Sequence, residues 1–372
     1  MLLTEYEGKQ RLREYGIAIP EGLLISKPEQ IHRWKGDFPV AIKAQVASGG
    51  RGKAGGVLRA ENASQLLTQA QTLLTMEFSG EKPRSLLVEP WIPHEREIYL
   101  ALTIDVTAGG YVIVYSPQGG VEVENQQPVQ YSFGAPRAFR AQALREILAP
   151  VESDGSLRER IITFARRLLY LATAIDAITV EINPLIVLSN GHLLALDAKI
   201  VRDEAAAFRH ADLSAAIKTS RKREPRAMAQ ALAGNLMMVW LEGEIGLISG
   251  GAGMTMAAMD MIADEGAQAA CFLDCSSNPT PAGYSLAFKI LDAEPQVKAI
   301  LFSIFGGGTH IDRVARTLHD ILKKRRSKKP VVIRMNGTGR FEADAFMQSV
   351  GLTNHPTLEA AVTEVVTLAS SV

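Results

Sequence analysis

The sequence has little cysteine, no excess of charge of either sign and no long hydrophobic run. Two cysteines among 372 residues, Cys271 and Cys275, cannot form the disulfide framework of a small secreted domain. Forty basic and forty acidic residues cancel, which argues against a nucleic-acid-binding protein that depends on a strong positive field. No window approaches the roughly 18 apolar residues of a membrane span, and the acidic start at Glu5 and Glu7 argues against a signal peptide. We therefore expect a cytoplasmic protein that binds neither nucleic acid nor membrane.

What is present indicates a globular chain of more than one domain. The hydrophobic content is 47%, and 372 residues at about 150 per domain predict two or three domains. The charged run 221–226, which includes a proline, best fits a linker, so we predict domains 1–222 and 223–372.

The apolar patterns differ on the two sides of this linker. Strand pairs around turn signals such as Asn190-Gly191 predict an antiparallel α+β first domain, and strands that alternate with helices predict a doubly wound α/β second domain. The predicted strands cover 23–25, 40–43, 57–58, 86–89, 97–104, 111–114, 179–182 and 193–197, then 246–249, 269–273, 299–304 and 331–334. In the first domain the predicted helices cover 4–15, 64–76, 141–148 and 157–173, and the spacing of Thr4 and Glu7 predicts a capping box at the start of the first.

A glycine-dense loop, residues 48–56, follows the strand that ends at Lys43. Such a turn exposes backbone N–H groups, and Lys43, Arg51 and Lys53 add positive charge, a combination that suits polyphosphate. The spacing is not that of a Walker A loop, because Ala54 follows Lys53. On these residues alone, a basic surface hairpin is an equal alternative.

Three oxygen-bearing side chains lie on the predicted hairpin around Asn190-Gly191. Strand alternation puts Glu181 and Asn183 on one face, and Asp197 is predicted to close the partner strand. An amide and a carboxylate oxygen are ligands that Mg²⁺ uses when nucleotide phosphates and water complete its shell. A solvated polar face is the alternative.

Three runs, residues 43–56, 181–185 and 196–199, resemble the β subunit of succinyl-CoA synthetase, an ATP-grasp family of nucleoside-diphosphate-forming acyl-CoA ligases. Residues 242–246, 251–253 and 304–307 extend the match into the second domain. The resemblance implies an ATP-grasp amino-terminal domain followed by a flavodoxin-like CoA-ligase domain. It also implies Mg²⁺, ATP/ADP or GTP/GDP, and CoA as co-substrate in a reversible ligation of a small carboxylic acid.

The resemblance carries individual roles onto matching residues. Nucleotide contacts are implied for Lys43, Gly50, Arg51, Gly52, Glu89, Ile92 and Glu97. Mg²⁺ ligation is implied for Asn183 and Asp197, and substrate contacts for Gly250, Gly307, Gly308 and Thr309. Glu181 is implied to orient an incoming phosphohistidine, the one catalytic role. On the residues alone, Glu89 and Glu97 also fit ordinary carboxylates on a strand face.

None of the seven histidines lies in a run that resembles the family's phosphohistidine loop, which belongs to the α subunit. His310 follows a strand and begins a helix, but a bystander role is favoured for it. The resemblance therefore implies an α-subunit partner that carries the phosphohistidine and most of the CoA site, in an αβ or α2β2 assembly.

Two departures leave the acid open. Gly250 stands where the family usually has Asn, and residues 276–279 replace a glycine triplet. These changes favour either another short polar acid, such as malate or sulfoacetate, or succinate bound through Gly307, Gly308 and Thr309. Three rivals are a citryl-CoA-forming or citrate-cleaving relative, a carboxylate–amine ligase, and a non-catalytic nucleotide-binding scaffold.

Overall fold

The computed structural model describes residues 1–47, 50–78, 80–120, 127–221, 226–276 and 278–371. Three residues of the sequence motifs, Ser48, Gly49 and Ser277, and residues 222–225 of the predicted linker lie outside this part. The chain divides into two units, Met1–Ile217 and Lys218–Val372. Within the described part, no helix is long and apolar enough to cross a membrane.

The first unit contains two antiparallel sheets. Its strands are β1 (Leu23–Ile25), β2 (Val40–Ala44), β3 (Val57–Ala60), β4 (Leu86–Pro90), β5 (Arg96–Asp105), β6 (Gly110–Ser116), β7 (Val129–Gly134), β8 (Ala177–Val187), β9 (Leu193–Ala195) and β10 (Lys199–Arg202). Its helices are α1 (Glu5–Glu14), α2 (Ala63–Thr75), α3 (Ala141–Leu148), α4 (Gly155–Ile175) and α5 (Ala211–Arg221), the last of which runs across the boundary of the two units. One sheet has the order β1-β4-β2-β3 and the other β10-β8-β5-β6-β7, with β9 paired to β8.

Local sequence signals explain how several of these elements begin. The predicted capping box is present at α1, where the side chain of Thr4 accepts from the Glu7 amide and Glu7 reaches back to Thr4. Helix α4 packs apolar residues such as Ile161 and Leu168 against the larger sheet, and α2 covers the smaller one with Leu66 and Leu73. Each of the two sheets therefore has one face covered by a helix, α4 on the larger sheet and α2 on the smaller one.

The predicted hairpin forms, but its second strand is shorter than predicted. Strand β9 ends at Ala195, so Asp197 lies in the connection to β10 rather than at a strand end. Two residues of β8, Asn183 and Pro184, face the single residue Tyr99 of β5, because the register shifts from Ile98 to Leu100. Such a bulge turns side chains out of the regular alternation of a strand.

The second unit has a five-stranded sheet between two layers of helices. Its elements are α6 (Arg226–Ala233), β11 (Met237–Trp240), β12 (Ile245–Ser249), α7 (Ala252–Asp264), β13 (Cys271–Asp274), α8 (Pro281–Ala293), β14 (Ala299–Gly306), α9 (Ile311–Lys324), β15 (Val331–Gly337), α10 (Arg340–Ser349) and α11 (Leu358–Ser370). The order is β11-β13-β12-β14-β15, and all neighbours are parallel except the edge pair β11–β13.

This sheet confirms the doubly wound prediction and corrects two details. The four parallel strands follow the flavodoxin-like spatial order 2-1-3-4 when they are numbered along the chain. Helices α7 and α11 pack on one face of the sheet, and α8, α9 and α10 pack on the other. Strand β13 begins at Cys271, two residues later than predicted. The antiparallel edge strand β11 was not predicted, because a short continuous apolar run such as Met237–Trp240 does not by itself distinguish a strand from part of a helix.

Candidate functional site

Lys43 lies on β2 and points its ammonium group into a buried cluster of charges. Its Nζ donates to Glu5 Oε1 at 2.8 Å and to the Leu196 carbonyl at 2.6 Å, and it lies 2.9 Å from Glu89 Oε2. Burial by itself lowers the pKa of Lys43, but the carboxylates of Glu5 and Glu89 outweigh it and raise the pKa. Lys43 is therefore a charged ammonium with a fixed position at the base of the glycine loop.

Arg51 points inward from the glycine loop rather than outward. Its Nη2 lies 3.0 and 3.1 Å from the two carboxylate oxygens of Asp197 and also pairs with Glu5, while Nη1 donates to the Ala44 carbonyl at 3.1 Å. Only 8% of the residue is exposed. The side chain of Arg51 thus fastens the loop to the metal-ligand candidate Asp197.

The glycine loop beyond Arg51 presents backbone to solvent. Gly50 has φ +76°, the left-handed region that glycine adopts without strain, and a Cβ on Gly50 or Gly52 would meet no atom within 4 Å. The turn closes on itself, because the amides of Ala54 and Gly56 donate to the carbonyls of Gly50 and Arg51. A compact turn of exposed peptide groups beside buried cations is suited to an anionic ligand.

Glu5 and Lys9 lie beside Lys43 in the buried cluster of charges, and neither was expected there from the sequence. Lys9 Nζ lies 2.6 Å from both oxygens of Glu89 and 2.8 Å from Glu5 Oε1, and none of the three side chains is more than 2% exposed. In sequence, this i,i+4 pair on α1 does not differ from an ordinary surface ion pair, and only the fold places it against Lys43 of β2 and Glu89 of β4. We call the following six residues the buried ion cluster: Glu5, Lys9, Lys43, Arg51, Glu89 and Asp197.

Asn183 and Asp197 lie opposite each other across β8 and its partner segment. Lys199 pairs with Glu181 on one side, Leu185 pairs with Ala195 on the other, and the same register between them matches Asn183 to Asp197.

The oxygens of this pair fit a hard cation. Asn183 Oδ1 accepts from the Gly120 amide at 2.7 Å, which leaves one of its two lone pairs, and Asp197 supplies a carboxylate. In the described part of the chain, no group of three or more His, Cys, Asp or Glu side chains could hold a metal. A cation at this pair would therefore need ligand oxygens from elsewhere, such as phosphate and water.

Glu181 lies on the same strand and the same half-exposed face as Asn183. Its Oε2 lies 3.1 Å from Lys199 Nζ, and 22% of its side chain is exposed. Tyr99 lies near enough to be affected, since burial and the charge of Glu181 together raise the pKa of Tyr99 to about 12. Glu181 is therefore an accessible carboxylate with one weak partner, unlike the enclosed Glu5 and Glu89.

The segment between β4 and β5 brings Ile92 and Glu97 together through a histidine. His94 Nδ1 lies 2.9 Å from the Ile92 carbonyl and His94 Nε2 lies 3.0 Å from Glu97 Oε1. Glu97 also faces Gly120, where a Cβ would come within 2.8 Å of Glu97 Oε2. These contacts link the segment of Ile92 to the glycine that holds Asn183.

The predicted substrate residues lie at the carboxyl ends of β12 and β14. The strand order reverses between these neighbours, so the turns at Gly250 and at 307–309 leave toward opposite faces of the sheet and frame a crevice, the usual ligand position in such folds. Gly307 and Gly308 are exposed, and a Cβ on either would meet nothing within 4 Å. Helix α9 begins there, and its N-cap residue His310 makes no side-chain capping bond.

The other helix start, at α7, already has an anionic partner. Asp274 Oδ1 accepts from the amides of Gly251 and Ser276, both at 2.8 Å. Ser276 Oγ donates to Asp274 Oδ2, and the Asn278 amide donates to the Gly234 carbonyl at 2.7 Å. The described polar side chains of segment 276–279 are therefore used to fasten that segment.

A row of unpaired polar side chains was also missed. Ser249, Ser303 and Arg334 lie side by side on β12, β14 and β15, on the face covered by α7 and α11. Within the described part, these three residues supply four of eight buried side-chain polar atoms that lack a hydrogen-bond partner. Each is a polar residue in a mostly apolar strand, which is a usable sequence signal. Buried polar atoms of this kind commonly bond to ordered water or to a ligand.

In comparisons with known proteins, two family models match different parts of the chain. The family model described as an ATP-grasp domain matches residues 2–187, and the model described as CoA-ligase matches residues 248–367. The chain is 36% identical to the β subunit of ADP-forming succinate–CoA ligase of Desulfurococcus amylolyticus, with 100% of both chains covered. It is 32% identical to the subunit of the same name from Methanocaldococcus jannaschii, over 97% of this chain and 98% of that one.

A solved structure has the same fold over the whole chain. ATP citrate lyase of Methanothrix soehngenii, in complex with citrate and coenzyme A, superimposes with a TM-score of 0.72 at 19% identity and covers 100% of this chain and 99% of its own. With an ATP-grasp domain, a CoA-ligase domain and full-length relatives above 30% identity, the chain belongs to the β-subunit family of ADP-forming succinate–CoA ligases.

Proposed function

We propose that the chain is the nucleotide-binding subunit of a carboxylate–CoA ligase, which converts acid, CoA and ATP reversibly into acyl-CoA, ADP and phosphate. The observation that carries this proposal is the position of Lys43, a charged ammonium at the base of an exposed glycine turn in an ATP-grasp chain. ATP is preferred to GTP because the relatives are named ADP-forming. Phosphoryl transfer depends mainly on positioning and charge neutralisation, which this arrangement offers.

In this proposal the exposed amides at Gly50 and Gly52 and the ammonium of Lys43 contact the phosphates. Ile92 and Glu97 line the base and ribose region. Glu89 and the side chain of Arg51 act from inside, through Lys43 and Asp197, since both are buried in the ion cluster. Asn183 and Asp197 would hold Mg²⁺, which would neutralise phosphate charge.

The phosphoryl group needs a carrier, and both ring nitrogens of His94, the histidine beside Ile92 and Glu97, are already engaged by those two residues. We propose that an α subunit brings a phosphohistidine to Glu181, whose accessible carboxylate accepts a hydrogen bond from the imidazole and orients it. His310 lies in the other unit and is 54% exposed beside Asp312, a position that suits a bystander. The partner would also provide most of the CoA site, in an αβ or α2β2 complex.

We propose succinate as the acid, bound in the crevice between Gly250 and the turn 307–309. The exposed peptide groups of Gly307 and Gly308, just before α9, together with the helix dipole attract a carboxylate there. The departure at 276–279 adds no free donor from Ser276 or Asn278, because both side chains bond internally. Changed specificity toward malate or sulfoacetate therefore has less support than succinate.

The assay that tests this function uses the full chain with its α-type partner, Mg²⁺, CoA and either ATP or GTP. We expect ADP release to depend on all components and succinate to give the highest kcat/KM in a panel with malate, sulfoacetate, citrate and acetate. Nucleotide binding without ligation of any acid in the panel would favour the scaffold alternative. Cleavage of citryl-CoA to acetyl-CoA would favour the citrate-cleaving alternative.

Arg334 should determine how strongly a second carboxylate is held. Arg334 lies in the same row as Ser303 of β14 and Ser249, the last residue of β12, just before α7 begins. Its unpaired Nε and Nη1 donors could bind the distal carboxylate directly or through water. We expect Arg334→Met to lower kcat/KM for succinate about 100-fold, in line with the loss of a charged hydrogen-bond partner, and to leave acetate unchanged.

The matched control is Arg340→Met, because Arg340 is already paired with Asp344 at 3.3 Å and Asn336 at 3.2 Å. It should leave the ratio of succinate to acetate activity unaltered. Equal losses for both acids in Arg334→Met would instead indicate a purely structural arginine.

A further inference from the structure

The buried ion cluster contains as many cations as carboxylates. Lys9, Lys43 and Arg51 face Glu5, Glu89 and Asp197, and five of these six side chains are at most 9% exposed. Loss of one charge from such a set leaves another buried and unpaired. The balance of positive and negative charge in the cluster therefore depends on all six side chains, including those that cannot contact a ligand.

Lys9 is one member that has no path to a ligand. Only 1% of it is exposed, and its ammonium lies between the two oxygens of Glu89 and Oε1 of Glu5. All of its short contacts are to the carboxylates that also hold Lys43. Lys9 thus shares the charge of Glu5 and Glu89 with Lys43.

Lys43 has three donors, and protein oxygens occupy all of them. They point to Glu5, Glu89 and the carbonyl of Leu196. A phosphate must compete with these oxygens for the ammonium. If Glu5 and Glu89 lose their other cationic partners, they attract the ammonium of Lys43 more strongly, and phosphate binds it less well.

We infer that Lys9 is a positioning residue of the nucleotide site, which keeps Lys43 available to phosphate by neutralising Glu5 and Glu89. The inference rests on the proposed function. It extends the site to α1, a helix outside every motif of nucleotide contact, and it predicts that charge at position 9 rather than packing controls nucleotide affinity.

The test measures the affinity of the full chain for ADP with MgCl₂ by titration calorimetry, in wild type, Lys9→Met, Lys9→Arg and the double variant Glu5→Gln/Lys9→Met. We expect Lys9→Met to bind about tenfold more weakly, because an unpaired carboxylate then retains Lys43. Lys9→Arg and the charge-neutral double variant should bind within about threefold of wild type. The control is Arg11→Met on the same helix, where Arg11 is 30% exposed and pairs with Glu14 and Asp212.

A pH series separates this role from a structural one. In the wild type, burial by itself raises the pKa of Glu5, but Lys43, Lys9 and Arg51 lower it well below its usual range, so affinity should not change between pH 8 and 6. Without Lys9, the carboxyl of Glu5 keeps only Lys43 and Arg51 as cationic partners, and Arg51 also serves Asp197, so burial favours protonation of Glu5. Affinity of Lys9→Met should then recover as the pH falls from 8 to 6.

Each outcome decides between the possibilities. Lys9→Met with wild-type affinity, or equal loss in the single and double variants, overturns the role of Lys9 and leaves the proposed function intact. Absence of MgADP binding in the wild type overturns both. If Lys9→Met does not fold, the double variant decides alone, since a tenfold loss there contradicts charge balance as the cause.

Discussion

Lys43→Met is expected to reduce acyl-CoA formation about 1,000-fold, because a preorganised cation at the phosphates is worth that much in comparable sites. Lys43 holds its ammonium between Glu5, Glu89 and the Leu196 carbonyl, and the neighbouring cations Lys9 and Arg51 are already held by carboxylates. The measurement is the steady-state ligase assay with the α-type partner, together with MgADP binding to the full chain. Both should be affected, because Lys43 would contact the ground state as well as the transition state.

The matched control for this prediction is Lys82→Met. Lys82 is an exposed lysine of the same unit, outside the buried ion cluster, and its loss changes the net charge by the same amount. Retention of ligase activity by Lys43→Met, in a protein that unfolds at the wild-type temperature, would remove Lys43 from the site and weaken the whole nucleotide assignment.

Asp197→Asn should lower activity by about 100-fold or more and shift the Mg²⁺ dependence to higher concentration, because a neutral amide binds a hard cation less strongly than a carboxylate does. Asp197 has two possible tasks, since it lies opposite Asn183 and also pairs with Arg51 at 3.0 Å. The measurement is the titration of activity against Mg²⁺ at saturating ATP, to which metal ligation and the ion pair with Arg51 can both contribute.

Arg51→Met separates the two tasks of Asp197. It removes the ion pair and leaves the carboxylate, so the apparent Mg²⁺ affinity should stay the same or increase. Asp37→Asn, at an exposed position, controls for the loss of an acidic residue. If Arg51→Met and Asp197→Asn raised the Mg²⁺ requirement equally, the ion pair and not the metal would explain the effect.

Much of the fold could be predicted from local patterns. The Asn190-Gly191 hairpin, the capping box at Thr4 and the alternating strands and helices of the second unit depend on neighbours in sequence, and all three are confirmed. The bulge at Asn183 could not be predicted, because it depends on how β5 pairs with β8. The same holds for β11, whose four residues become a strand only beside β13.

The sequence by itself determined the chemistry available to this protein: a glycine turn with nearby cations, an amide and a carboxylate for a metal, and two strand-to-helix turns for an acid. These signals are local, since residue type and short spacing carry them. Only the tertiary structure decided that Arg51 turns inward, that Glu5 and Lys9 join the buried ion cluster, and that two donors of Arg334 find no hydrogen-bond partner among the described residues. The physical reason is that burial and pairing of charges depend on contacts between residues far apart in the chain, such as 38 positions for Lys43 and Glu5 and 146 for Arg51 and Asp197, for which no short motif exists.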